Sequence, residues 1–162
     1  MFPTKILLAT DGSEEAVLAA EASVELANGT GSELHVVYVV STVPELPYPH
    51  AWEKEQYETI LELNRLNDLR LLEDLTRWIE ALGGDVAASH YREGRPEKEI
   101  VLLGEELDAG LIVTGGQRRP WFKRIFGAGF SEIVSWQAGR PVLVVGPRGG
   151  ARRDRSEVAF GV

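Results

Sequence analysis

Short unbroken runs of apolar residues alternate along this chain with longer stretches in which apolar positions recur every three or four residues. Lys5-Ile-Leu-Leu-Ala9 is of the first kind and ends at the turn signal Asp11-Gly12-Ser13. A continuous run of that length suits a strand covered on both faces. Ser13 stands before Glu14 and Glu15. A hydroxyl that can accept from a free helical N–H, followed by acids that the positive end of the helix dipole favours, marks a helix start. The Ala-rich stretch that follows is expected to stop at Asn28-Gly29. Leu34–Val40, rich in valine, predicts a second strand, and Ser41–His50, with Pro44, Pro47 and Pro49, predicts an irregular loop.

A long helix is expected over about Trp52–Leu82, with Tyr57, Ile60 and Leu61 on the same face as Leu72, Leu75, Ile79 and Leu82. Asn64 and Asp68 interrupt that face, which predicts a bend or an exit from the core there; Gly83-Gly84 ends the helix. Val86–Tyr91 alternates weakly and reads as a polar edge strand. Pro96 at a helix start opens a further helix to about Leu107. Leu111–Val113 and Val142–Val145 complete the strands, with a short helix, about Phe130–Gln137, between them. Five strands separated by four helical crossovers, without a hairpin signal, predict an α/β fold: a doubly wound parallel sheet with helices on both faces.

Composition narrows the chemistry. The chain has 162 residues, 44% of them hydrophobic and 26% charged, which predicts one α/β domain over residues 1–147. Residues 148–162 mix glycine and arginine and are expected to form a disordered basic tail. The absence of cysteine removes disulfides, thiol nucleophiles and thiolate metal sites. His35, His50 and His90 are too scattered for a ligand motif, so no metal is expected. No apolar stretch of membrane-spanning length and no signal peptide are visible, which makes the cytoplasm the expected compartment. A net charge of −8 argues against nucleic-acid partners. The exceptions are Gln117–Phe126, which carries Arg118, Arg119, Lys123 and Arg124 without an acid, and the arginine-bearing tail.

Ligands of open α/β sheets bind at the carboxyl ends of the strands, beside the reversal in strand order. Thr10-Asp11-Gly12-Ser13 and Thr114-Gly115-Gly116 qualify, because glycines let backbone N–H groups approach a phosphate and the following helix adds partial positive charge. Both also read as plain turns with helix caps. The chain contains no G-x-x-x-x-G-K-[ST] and no G-x-S-x-G, and Gly127-Ala128-Gly129 lacks the third glycine of the dinucleotide fingerprint. No catalytic constellation emerges. Trp121 and Phe122 between cations resemble a stacking site for single-stranded nucleic acid, but an aromatic loop folded onto the body explains them more simply.

The succession Lys5-Ile-Leu-Leu-Ala-Thr-Asp11-Gly-Ser13, Leu34–Val40, Arg92-Glu-Gly94-Arg-Pro96, Leu111–Gly115 and Arg140-Pro-Val-Leu-Val-Val145 resembles the universal stress protein family from about residue 4 to residue 146. The resemblance implies strand order 3-2-1-4-5 and a dimer. It also implies an ATP site built on a glycine, two residues, a second glycine, nine residues, and a glycine followed by serine or threonine. Gly115 matches the first position, while Arg118, Ala128 and Gly129 fall on the second glycine, the third glycine and the hydroxyl residue. A shift of one residue makes Gly127 the third glycine and puts Ala128 in the hydroxyl position. Asp11 matches the family's acid after the first strand, and Val39 the strand-two residue beside the base.

The expected protein is therefore a non-enzymatic, dimeric stress-response or regulatory protein with a degenerate nucleotide cleft. It needs no cofactor and binds ATP weakly. The alternative is an ATP sensor or slow ATPase in which Arg118 grips phosphate. The homodimer is expected through Val142–Val145, an uncharged strand that the implied order places at a sheet edge.

Overall fold

The computed structural model describes residues 2–41, 51–115 and 139–146. The elements run β1 (Lys5–Ala9), α1 (Glu14–Thr30), β2 (Glu33–Ser41), α2 (Ala51–Ala81), β3 (Val86–Gly94), α3 (Pro96–Glu106), β4 (Leu111–Gly115) and β5 (Val142–Val145). The strands form one sheet of order β3-β2-β1-β4-β5, and every pairing is parallel. This is the doubly wound α/β fold with the order 3-2-1-4-5. From β1 the chain steps outward through β2 to β3, then returns past β1 to β4. Right-handed crossovers that step in opposite directions place their helices on opposite faces. Accordingly α1 and α2 pack on one face with Ile6, Leu8, Leu34 and Val36, and α3 packs on the other with Leu7, Val37 and Ile112. Both faces of β1 are covered, which is why its sequence is apolar without a break.

Helix α1 starts as its sequence dictates: the Ser13 side chain accepts from the Ala16 N–H at 3.3 Å. Its stop differs from the expected Asn28-Gly29. The helix passes through both residues to Thr30, and Gly31 ends it with φ 67° while its N–H bonds back to the Ala27 carbonyl. The left-handed conformation costs a residue with a Cβ about 1–2 kcal/mol, so the glycine that adopts it is the one that terminates the helix.

Helix α2 departs further from expectation. Its 31 residues span about 46 Å, whereas a nine-residue strand such as β3 spans about 30 Å. Leu72 and Ile79 are buried, but Ile60 is 54% and Leu61 44% exposed, and Leu82 lies at the surface. The single apolar face through Tyr57, Ile60 and Leu61 therefore does not form: the amino-terminal half leaves the core, starting at Asn64 and Asp68.

Strand β3 is the expected edge strand but runs to Gly94 instead of Tyr91, because Arg92 and Glu93 continue the ladder opposite Val39 and Val40. Strand β4 likewise extends beyond Val113, which puts Thr114 and Gly115 in the sheet, both buried, and not in a loop. Arg140 ties the start of β5 to the turn after α3, donating to Asp108 Oδ1 at 3.1 Å and to the Ala109 carbonyl. The expected loop over 42–50, the helix over Phe130–Gln137, the Gln117–Phe126 segment and the tail lie outside the described residues.

Candidate functional site

The reversal in strand order falls between β1 and β4, and the carboxyl ends of β1, β2 and β4 meet there. The β1–β2 register pairs Ala9 with Val37, and Thr10 N–H still donates to the Val37 carbonyl at 3.0 Å. Strand β2 then continues past the end of β1, leaving Val39, half-buried, alongside the turn at Asp11. On the other side Ala9 pairs with Thr114, which brings Gly115 beside the same turn. Asp11, Val39 and Gly115 thus come from three strand ends to one edge of the sheet.

The turn itself is built by its side chains. Asp11 Oδ1 accepts from the Ser13 N–H at 2.9 Å, and Thr10 Oγ1 accepts from the Gly12 N–H at 3.4 Å. Gly12 has φ 74°, where glycine is free of the Cβ penalty, and a Cβ there would lie 3.8 Å from Leu75 of α2. The turn is held against α2 while Ser13 opens α1. An ionised Asp11 can only accept hydrogen bonds, so toward a ligand it suits N–H and O–H groups and repels phosphate. Arg118, Gly127, Ala128 and Gly129, the remaining candidate residues, lie outside the described residues.

The model of the universal stress protein family matches residues 3–146. This chain belongs to that family. Universal stress protein MJ0531 of Methanocaldococcus jannaschii is 31% identical over 141 residues, covering 87% of this chain and 81% of the relative. Among solved structures, hypothetical protein MJ0577 superposes with a TM-score of 0.68 at 23% identity, covering 92% of this chain and 99% of its own. A universal stress protein family member from Arabidopsis thaliana, solved with AMP bound, gives 0.58 at 17% identity, covering 96% of this chain and 95% of its own. At those identities the two structures speak for the shared fold alone. Among the described residues, no helix is long and apolar enough to cross a membrane, and no group of three or more His, Cys, Asp or Glu side chains could hold a metal ion.

This universal stress protein also gathers polar residues that sequence reasoning did not single out. Tyr38, on β2, donates its hydroxyl to Asp68 of α2; burial raises its pKa, and the nearby charges of Asp68 and Asp11 add to the shift. Tyr91 on β3 is pushed up to about 12 by burial and by its hydrogen bond to Glu93, which Arg65 of α2 approaches at 3.6 Å. The only sequence signal for this network was the break in the apolar face of α2 at Asn64 and Asp68. On the opposite face of the sheet, His35 and His90 lie side by side, with Nδ1 of the former 3.2 Å from Nε2 of the latter and the rings stacked. They are 55 residues apart in sequence, and only the β2–β3 register joins them.

Proposed function

We propose that this member of the universal stress protein family is a non-enzymatic homodimer acting through protein partners or stress-dependent regulation. Its nucleotide cleft keeps the adenosine end and has lost the phosphate end. One contrast carries this reading. Asp11 and Val39, which match the family's adenine end, share one sheet edge with Gly115, the first glycine of the phosphate-binding pattern, while the second glycine and the hydroxyl residue of that pattern are missing from the sequence. The residues present fit an adenosine moiety: Asp11 can accept from its N–H or O–H groups, and Val39 offers an apolar wall. The AMP bound by the Arabidopsis relative supports an adenine nucleotide as the class of ligand. When bound, such a nucleotide supplies a regulatory signal.

At the phosphate end, arginine in place of the second glycine has two opposed effects. Its bulk blocks close approach of the backbone, and its guanidinium offers a bidentate contact to phosphate. Arg119, Lys123 and Arg124 already supply charge in the sequence nearby, so one more cation adds less than a lost backbone cradle removes. A ligand at 100 times its dissociation constant stabilises by about 2.7 kcal/mol, which in a domain of this size raises the melting temperature by roughly 5–10 °C. Millimolar ATP with magnesium is expected to give much less. The combined variant Arg118→Gly, Ala128→Gly, Gly129→Ser is expected to enlarge the shift. A full shift in the unmodified protein, abolished by Arg118→Ala, would instead establish an ATP sensor in which arginine has replaced the glycine.

The dimer is proposed through β5. Among the described residues this strand pairs only with β4, and Leu143 and Val144 are exposed at the sheet edge. An uncharged apolar edge invites a further strand, and a two-fold copy would cover it with the same patch. Light scattering at micromolar concentration is expected to give a dimer that Val144→Lys converts to a monomer. A monomeric wild-type protein, or a variant of unchanged mass, would contradict the assignment.

A further inference from the structure

Where α2 rises from the core, it leaves a recess of about 670 Å³ against the carboxyl ends of β2 and β3, within the range of small-molecule sites. It lies on the α2 face of the sheet, whereas Val39 packs toward α3. Its lining joins two tyrosines, Tyr57 and Tyr91, and the apolar Leu61 to an acidic wall. Four carboxylates, Glu58, Glu62, Asp68 and Glu93, meet a single guanidinium, Arg65. Arg65 is already engaged by Glu93 at 3.6 Å, and Lys54 compensates Glu58 at 3.7 Å. Among the described residues, no cation lies within ion-pair distance of Glu62 or Asp68, which remain as uncompensated negative charge.

From this cavity we infer a second ligand site, separate from the nucleotide cleft, that takes a small organic amine carrying an aromatic or other apolar group. The charge decides the sign of the ligand. An anion would meet four carboxylates, so neither a phosphate nor a carboxylic acid is held there. An ammonium group gains Coulomb attraction to Glu62 and Asp68, and tyrosine rings add the attraction of their π faces for a cation. The apolar part of the ligand covers Leu61, which is 44% exposed although it points along the same side of α2 as the buried Leu72. The recess thus gives Leu61 an apolar partner beside a charged network, on a part of α2 whose described residues lie outside the buried core.

The test is calorimetric titration of the full chain, without nucleotide and at low ionic strength, with phenethylammonium, 2-phenylethanol and phenylacetate, which share the ring and differ in charge. The amine is expected to bind at least about tenfold more tightly than the alcohol, and the acid not at all. Glu62→Gln and Leu61→Ala, both at exposed α2 positions that line the recess, are each expected to weaken the amine several-fold while melting with the wild type. Amide shifts on titration are expected at Leu61 and Tyr91 and not at Gly115. Absence of amine binding at millimolar concentration overturns the proposal. So does equal affinity for amine and alcohol, or an affinity unmoved by both substitutions.

Discussion

In β1, Ile6, Leu7 and Leu8 are fully buried, alternating between the α1–α2 face and the α3 face. At the edge of the same sheet, β3 carries His90, Tyr91, Arg92 and Glu93 in succession. Each is joined to a polar partner: His35 for His90, Glu93 for Tyr91, Glu106 for Arg92 and Arg65 for Glu93. The strands are built from the same parallel ladder and held by different forces. At the centre, stability comes from area removed from water, which has no direction and little dependence on pH or salt. At the edge it comes from pairs whose worth depends on protonation and screening. The centre fixes the fold, and the edge together with the overhanging half of α2 is free to specialise.

Substitutions at the centre should therefore dominate. Leu8→Ala is expected to cost about 2–5 kcal/mol as a cavity in a packed core, lowering the melting temperature by roughly 5–15 °C. An effect as small as that of an edge substitution would break the distinction. Gly110→Ala comes next. The Gly110 N–H donates to the Lys5 carbonyl, and an added Cβ would collide with the Thr4 hydroxyl and lie 2.8 Å from its methyl group. Overpacking of this kind costs about 1–3 kcal/mol, and Thr4→Gly should restore most of it in thermal unfolding.

The edge should show itself through pH. Burial, the adjacent His35 and Arg92 hold the pKa of His90 below its usual value, against a smaller opposing pull from Glu106. The unfolded chain then binds a proton more readily than the folded one, so this contribution to stability is complete above pH 6.5 and declines as pH falls through that value toward the folded pKa. Denaturant midpoints of the wild type should fall more steeply than those of His90→Gln between neutral and mildly acidic pH; parallel profiles would contradict this. Smallest of all, Leu63→Ala, on the overhang and 55% exposed, should change stability by less than about 0.5 kcal/mol.

Sequence reasoning reached the centre because continuous apolar runs, caps and turn glycines are local signals. It placed β1 without error and erred at α1 by taking Gly29, in place of Gly31, as the left-handed stop. Periodicity grouped Ile60 and Leu61 with Leu72 on α2, but a helix cannot report in sequence how far the sheet beneath it extends. The His35–His90 pair was hidden for a related reason: contact across strands needs a register, and residues 55 positions apart carry none. At the candidate site, Asp11, Val39 and Gly115 were legible through family resemblance, and parallel pairing brings them to one edge. The Tyr38–Asp68 link was visible only as an interruption in a helical face.

The central claim is that adenosine recognition and phosphate recognition have come apart in this protein. Isothermal titration with adenosine, and separately with ATP and magnesium, tests it most directly, because the two ligands share the base and ribose and differ in the triphosphate. The account predicts that ATP binds no more tightly than adenosine. An affinity for ATP at least about tenfold higher, equivalent to about 1.4 kcal/mol gained from the phosphates, would contradict it.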